Sequence, residues 1–270
     1  MDEVKAEELG YAARTVQCDG FEIRYWGRGA GTPLIVLHGG GGPDLGPAHD
    51  AIAETVHLVY FELPGFGDSE VNDSTESLPA LAETMANAVA ALGFDRYALL
   101  GTSFGGAAAA WLAVMYPERV CRLILEAPAA FRPQGARLPS DLEPQELMRA
   151  LYAHPERRRP TPAPDPAVMA KQMTLVRRLL DGGDEAALEE RLRGLPVPTL
   201  VIFGLSDGLI PPEMGRRYKA LIPNCDYVLV YDAAHEVNSD RPEAFARLVA
   251  DFVEHGEAHV VSRASSLITP

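Results

Sequence analysis

The stretch LLGTSFGG, residues 99–106, contains the pentapeptide Gly-x-Ser-x-Gly with Ser103 at its centre. An apolar run at residues 97–100 precedes it and predicts a short buried strand. An alanine-rich run without proline, residues 107–115, follows it and predicts a helix. Ser103 is therefore predicted to lie at a tight turn between strand and helix. Gly101 and Gly105 permit the close backbone approach that such a turn requires.

The pentapeptide alone is weak evidence of catalysis, because glycine-rich turns that contain a serine are common. Between a strand and a helix it is typical of a nucleophile whose hydroxyl group is exposed at the top of a sheet. The rest of the chain must supply the partners that distinguish a catalytic turn from a structural one.

Composition places the chain among globular proteins of one domain. Its 270 residues are enough for one large α/β domain, and 47% hydrophobic with 23% charged residues is ordinary for a soluble protein. A formal net charge of −14 argues against a nucleic-acid partner. We interpret the only dense basic run, residues 157–159, as a solvated loop.

Neither a metal nor another cofactor is expected. Cys18, Cys121 and Cys225 are an odd number without metal-ligand spacing, and no phosphate-binding or dinucleotide motif occurs. The acidic first ten residues lack the features of a secretory signal, and no apolar run is long enough to span a bilayer. We expect a cytoplasmic protein that acts on a small molecule, without a membrane partner. The sequence carries no signal for its oligomeric state.

Strand and helix patterns alternate along most of the chain. Residues 14–26 predict a hairpin that turns at Asp19-Gly20. Further strands are predicted at 33–37, 56–61, 122–125, 199–203 and 226–231, a short edge strand at 259–261, and helices at 47–54, 78–92 and 242–253. This alternation predicts a mostly parallel sheet with right-handed crossovers.

The alternation stops between residues 131 and 195, where helices are predicted at 144–153, 166–180 and 185–193 among many prolines. Such an insertion is typical of a lid over the carboxyl ends of the strands, where open α/β sheets bind ligands. We predict a core domain formed by residues 1–130 and 196–270, and a helical lid formed by residues 131–195.

Ser103, Asp207 and His235 each follow the carboxyl end of a predicted strand. Because parallel strand ends share one edge of a sheet, these three side chains are expected to converge there. The order Ser, Asp, His is that of a catalytic triad on this architecture. Glu126 and Asp232 compete with Asp207 for the place of the acid.

Five features together carry a family resemblance: the motif HGGG at 38–41, GFGDS at 65–69, GTSFGG at 101–106, Asp207 and His235. The chain resembles enzymes of the α/β-hydrolase fold over nearly its full length outside the lid, and is most similar to the esterase and meta-cleavage-product hydrolase branches. The resemblance implies a mostly parallel central sheet flanked by helices, with a helical lid. Glu62 departs from the aspartate that commonly precedes the Pro-Gly loop.

The expected chemistry assigns a role to each group. A serine hydroxyl needs a base, and His235 can take its proton and return it to the leaving group. Asp207 would orient the imidazole and stabilise the imidazolium. The backbone N–H groups of Phe104 and Gly40 are the predicted oxyanion donors, with Gly41 as the alternative to Gly40. His38 is interpreted as a loop organiser.

These roles predict a serine hydrolase that cleaves a small or medium carboxylic ester through an acyl-enzyme. One alternative is the hydrolysis of a carbon–carbon bond in a vinylogous diketone, for which the same triad serves. Another is a ligand-binding member of the fold without catalysis. The lid is expected to decide the substrate.

Overall fold

The computed structural model describes residues 3–133, 139–160 and 165–256, and an eight-stranded sheet forms its centre. Its strands are β1 (Ala12–Cys18), β2 (Phe21–Arg28), β3 (Pro33–Leu37), β4 (His57–Phe61), β5 (Tyr97–Thr102), β6 (Val120–Glu126), β7 (Thr199–Gly204) and β8 (Cys225–Val230). Their order across the sheet is β1-β2-β4-β3-β5-β6-β7-β8. Strands β1 and β2, and β2 and β4, are antiparallel, whereas all other neighbours are parallel. The predicted mostly parallel α/β sheet is thus confirmed.

Ten α-helices are assigned within the described residues. They are α1 (Glu3–Glu8), α2 (Pro47–Ile52), α3 (Leu78–Ala91), α4 (Ser103–Met115), α5 (Pro144–Leu151), α6 (Pro166–Asp181), α7 (Glu185–Leu192), α8 (Met214–Leu221), α9 (Val237–Asp240) and α10 (Pro242–His255). Helices α1, α8 and α9 were not predicted from the sequence. The predicted edge strand at 259–261 lies outside the described residues.

The hairpin at the antiparallel edge of the sheet has its turn at the position that the sequence predicts. Asp19 and Gly20 connect β1 to β2, and their φ angles are +49° and +83°. Positive φ angles at both central residues are characteristic of a type I′ turn, whose twist matches that of the flanking strands. Asp-Gly is a favoured pair for this turn.

Helices cover both faces of the sheet. One core cluster contains Ile35, Leu37 and Leu99 with residues of α3 and α4. The second contains Leu34 and Leu100 with residues of α2 and α10. Alternate residues of a strand thus enter opposite clusters, as expected for a strand that is buried on both faces.

Two glycines allow the helix that follows β5 to pack directly against the sheet. A Cβ atom added to Gly101 would lie 2.4 Å from the carbonyl oxygen of Gly105, and one added to Gly105 would lie 2.2 Å from that of Leu37. No side chain fits at such distances, so α4 crosses β5 and reaches the end of β3 only because both positions are glycine. This close approach fixes the turn at Ser103.

Helices α5, α6 and α7 follow β6 and precede β7, and the described part of residues 131–195 contains no strand. This agrees with the helical pattern of the sequence, while the division into a core domain and a lid stays a prediction. The interpretation of residues 157–159 as a solvated loop is wrong for Arg158 and Arg159, whereas Arg157 is exposed. Arg158 pairs with Asp44 at 3.2 Å and Arg159 pairs with Asp50, so these side chains bind to the segment around α2.

None of the helices in the described ranges combines the length and the apolar character that crossing a membrane requires.

Candidate active site

Ser103 is the first residue of α4 and lies directly after β5. Its φ angle is +52°, which is unfavourable for any residue other than glycine and costs of order 1–3 kcal/mol. The tight packing at Gly101 and Gly105 holds the backbone in this conformation. Strain of this kind persists only where the surroundings impose it, and it is typical of a serine nucleophile at a strand-to-helix turn.

His235 and Asp207 form a buried hydrogen-bonded pair. Nδ1 of His235 lies 2.9 Å from Oδ2 of Asp207, and the two side chains are 1% and 0% exposed. The other carboxylate oxygen, Oδ1, accepts the backbone N–H groups of Leu209 and Ile210, each at 2.9 Å. Asp207 is therefore fixed from both sides, and the bond places the proton of a neutral imidazole on Nδ1. Nε2 of His235 is buried and has no hydrogen-bond partner among the described residues.

The loop after β7, which carries Asp207, and the loop after β8, which carries His235, are in close backbone contact. A Cβ atom on Gly204, the last residue of β7, would lie 2.0 Å from the carbonyl oxygen of Ala234. Just beyond it, the N–H group of Ser206 donates to the carbonyl of Ala233 at 2.9 Å. The loop after β8 therefore lies against the end of β7, which places His235 beside Asp207.

Glu126 and Asp232, the other two candidates for the acid of the triad, form hydrogen bonds or ion pairs with groups other than His235. Glu126, at the end of β6, accepts the Thr102 hydroxyl at 2.7 Å and the backbone N–H of Asn238 at 2.7 Å. Asp232 pairs with Nε2 of His154 at 2.8 Å. Of the three carboxyl groups that the sequence offers, Asp207 is the one hydrogen-bonded to His235.

The electrostatics around His235 are dominated by carboxyl groups. Burial alone would lower the pKa of its imidazole, but Asp207, Glu236 and Glu126 more than offset this and raise it to about 9. Burial, and then the charge of Glu236, raise the pKa of Glu126 to about 7. Burial also raises the pKa of Glu236. The candidate base thus lies in a region of negative charge that favours its protonated form.

The Gly-rich loop after β3 lies next to Ser103. A Cβ atom on Gly39 would lie 3.5 Å from Cβ of Ser103, and Gly40 and Gly41 border the same cavity as Ser103 and Phe104. The predicted oxyanion donors are therefore grouped around the candidate nucleophile.

His38 and Gln172 hold the Gly-rich loop. Nδ1 of His38 lies 2.7 Å from the carbonyl oxygen of Gly39, and its Nε2 accepts the N–H of Leu63 at 3.0 Å. Burial lowers the pKa of His38 to about 4, so this imidazole is neutral and organises the loop. Gln172 on α6 donates to the carbonyl of Gly41 at 3.3 Å and accepts the N–H of Gly67 at 3.0 Å. No local pattern in the sequence indicates Gln172, because its partners lie more than 100 positions away.

The cavity at this site has a volume of about 220 Å³, and most of its wall is apolar. Helices α5 and α6 contribute Leu147, Leu151, Met169, Met173, Val176 and Leu180. The remaining lining residues are Gly40, Gly41, Ser103, Phe104, Ala129, Arg132, Pro139, Tyr152, Leu209, Ile210, His235 and Glu236. The site can therefore hold a small apolar molecule against Ser103 and His235.

A second, larger cavity of about 520 Å³ lies along β2 and the start of β4, and borders Tyr25, Arg28 and His57. It contains none of the candidate site residues, so its size does not make it the active site. Within the described ranges, no group of three or more His, Cys, Asp and Glu side chains is arranged to hold a metal ion.

A family model described as "Alpha/beta hydrolase family" matches residues 34–248. The 2-hydroxymuconate semialdehyde hydrolase of Pseudomonas putida is 28% identical over 282 residues, with 94% of this chain and 97% of the relative covered. The poly(3-hydroxyalkanoate) depolymerase of Ectopseudomonas oleovorans is 28% identical over 280 residues, covering 93% and 95%. The crystal structure of a bacterial membrane phospholipase A is similar, with a TM-score of 0.72, 25% identity and coverage of 93% and 88%.

The fold and the matched region define a class of protein. This chain belongs to the α/β hydrolase family and is a hydrolase.

Proposed function

We propose that this protein is a serine hydrolase that cleaves a small or medium, uncharged carboxylic ester through an acyl-enzyme intermediate. Ser103 is the nucleophile, His235 the general base and Asp207 the group that orients the imidazole. The observation that carries this proposal is the hydrogen bond from His235 to Asp207 at 2.9 Å, in the wall of a cavity that Ser103 also borders.

The first half-reaction follows from this arrangement. The neutral imidazole takes the proton of the Ser103 hydroxyl through Nε2 as the oxygen attacks the ester carbonyl. Asp207 stabilises the imidazolium that forms. The N–H groups of Gly40 and Phe104 donate to the oxyanion of the tetrahedral intermediate, an interaction worth about 3 to 4 kcal/mol for each donor. His235 then gives its proton to the leaving alcohol, and the acyl group stays on Ser103.

Water completes the reaction. His235 takes a proton from a water molecule, the resulting hydroxide attacks the acyl carbonyl, and the carboxylic acid leaves as Ser103 recovers its proton. Each proton that the imidazole takes is returned within the same half-reaction, so the enzyme ends the cycle unchanged.

The charge of the cavity supports an uncharged substrate. Glu236 lies in its wall next to His235, whose imidazolium is paired with Asp207. The other cationic side chain among the described lining residues, Arg132, lies 3.4 Å from Asp181. A carboxylate substrate would therefore face a carboxyl group and an arginine that already has a partner, which makes its desolvation costly.

Carbon–carbon bond hydrolysis is the second candidate, because the relative from P. putida is named a 2-hydroxymuconate semialdehyde hydrolase and matches 94% of this chain. The same nucleophile and base serve that reaction, but the substrate is an anion. Binding of that substrate would therefore require unpaired positive charge in the cavity, whereas an uncharged ester does not.

The decisive experiment compares turnover of p-nitrophenyl butyrate with that of 2-hydroxymuconate semialdehyde. The proposal expects kcat/KM for the ester to be larger, and expects Ser103→Ala to abolish it while the circular dichroism spectrum is unchanged. A larger kcat/KM for the semialdehyde would favour the second candidate. Ester turnover by Ser103→Ala equal to that of the wild type would contradict the assigned nucleophile.

A further inference from the structure

Two carboxyl groups beside the site are joined by a single amide. Nδ2 of Asn238 lies 3.0 Å from each oxygen of Glu126 and 3.1 Å from Oε2 of Glu236. Glu126 is 0% exposed and also accepts the hydroxyl of Thr102, so it is enclosed by protein. Glu236 borders the cavity. Of the two acids, Glu236 is therefore the one that a bound molecule can contact.

Two hydrogen bonds fix the position of Glu236. Its backbone N–H donates to the carbonyl of Leu151 at the end of α5, at 3.0 Å, and its Oε2 is held by Asn238. Its Oε1 lies 3.8 Å from the place that a Cβ atom on Gly39 would occupy, and that same place is 3.5 Å from Cβ of Ser103. The carboxyl group is thus held against the Gly-rich loop after β3, where that loop approaches Ser103.

The charges around Glu236 leave the site negative. Asp44 and Arg158 also act on it, but they pair with each other at 3.2 Å. His235 and Asp207 are together neutral when the imidazole is protonated and negative when it is not. The carboxyl pair of Glu236 and Glu126 therefore adds negative charge that no described neighbour cancels.

We propose that Glu236 is a specificity-determining residue, whose carboxyl group favours substrates that carry a hydroxyl group a few bonds from the scissile carbonyl and disfavours those that carry a carboxylate there. This assignment rests on the proposed ester hydrolysis. Oε1 accepts a hydrogen bond from the substrate hydroxyl, whereas a substrate carboxylate would meet a like charge in a cavity whose wall is mostly apolar.

The test uses two benzyl esters that differ in that group, benzyl 4-hydroxybutyrate and monobenzyl succinate. Their dissociation constants are measured at pH 8 against Ser103→Ala, so binding is followed without hydrolysis. The hydroxy ester is expected to bind about tenfold or more tightly, and Glu236→Gln added to Ser103→Ala should reduce that ratio by about tenfold. Glu190→Gln, an exposed change on α7 that removes the same charge, should leave the ratio unchanged.

Equal binding of the two esters to Ser103→Ala would overturn the proposal, as would a ratio that Glu236→Gln does not change. If the Gln variant fails to fold, Glu236→Ala provides the same comparison. Hydrolysis of benzyl 4-hydroxybutyrate by the wild-type enzyme is measured separately. Its absence would contradict the proposed ester hydrolysis, whereas the binding ratio would still test Glu236.

Discussion

The cavity has two walls that differ in origin and in chemistry. The wall formed by the core sheet carries Gly40, Ser103, Phe104 and His235, all of which follow strand ends. The opposite wall, formed by α5 and α6, consists of leucine, methionine and valine side chains. We propose that the difference separates two tasks: the sheet wall holds the groups that break a bond, and the helical wall contacts the part of the substrate that does not react. Changes to the first should lower kcat, whereas changes to the second should alter the choice of substrate.

Among the three candidate acids, the largest effect on kcat is expected at Asp207. Asp207→Asn removes the charge that stabilises the imidazolium and disturbs the tautomer of His235, so kcat should fall about 10⁴-fold. Glu126→Gln, at the end of the neighbouring strand, is the matched control, because Glu126 bonds to Thr102 and Asn238. Its effect on kcat should be about tenfold or less. Equal losses from the two variants, measured with p-nitrophenyl butyrate, would show that the hydrogen bond to His235 is not what distinguishes these acids.

A pH profile tests the electrostatics of the sheet wall. The base must be neutral to accept a proton, and the pKa of His235 is raised to about 9, so activity is lost as the pH falls below that value. The kcat/KM should therefore rise about tenfold per pH unit between pH 6 and 8 and level off above pH 9. In Glu236→Gln the midpoint should move to lower pH, because one of the raising charges is gone. A plateau already reached at pH 7 in the wild type would contradict this account.

A larger side chain in the helical wall should alter the preference for the length of the acyl chain. Val176 on α6 borders the cavity and lies 3.4 Å from the place of a Cβ atom on Gly40, so Val176→Phe fills space close to the nucleophile. We expect kcat/KM for p-nitrophenyl octanoate to fall about tenfold relative to that for the acetate. Met148→Phe on α5, at an exposed position outside the cavity, should leave the ratio unchanged. An unchanged ratio in Val176→Phe would mean that this wall does not contact the acyl chain.

The smallest effect is expected on stability, when the ion pair between the segment after α5 and the region around α2 is removed. Arg158 pairs with Asp44 at 3.2 Å, and the two side chains are 26% and 35% exposed. A partly exposed pair of this kind contributes about 0.5–1 kcal/mol at most, so Arg158→Ala should lower the free energy of unfolding in urea by that amount. A loss several times larger would show that this attachment also holds the cavity wall in place.

The same two walls differ in how much of them the sequence predicted. The sheet wall was predictable because each of its groups is tied to a local pattern: Gly101 and Gly105 bracket Ser103, and an apolar run precedes Asp207 and His235. These patterns predicted all eight strands, each within about two residues of its observed ends, and the hairpin turn at Asp19-Gly20. Their common location then followed from the geometry of parallel strands.

The contacts of the helical wall could not be predicted from local sequence patterns, because they join positions far apart in the chain. Gln172 reaches Gly41 and Gly67, and the two arginines at 158 and 159 reach Asp44 and Asp50. Helical spacing places α5 and α6 along the chain, but it does not say which side of each helix meets the sheet. Glu236 was missed for a related reason, because only folding places it between Asn238 and the cavity.

The role of the strained serine after β5 as the nucleophile is the proposal on which the others depend. It is tested most directly by treating the folded enzyme with a fluorophosphonate and mapping the adduct by peptide mass spectrometry. We expect one adduct per chain on Ser103, formed at least about 10³-fold more slowly when His235→Ala removes the base. An unlabelled Ser103 in folded, active enzyme, or an adduct on another serine with Ser103 unmodified, would contradict it.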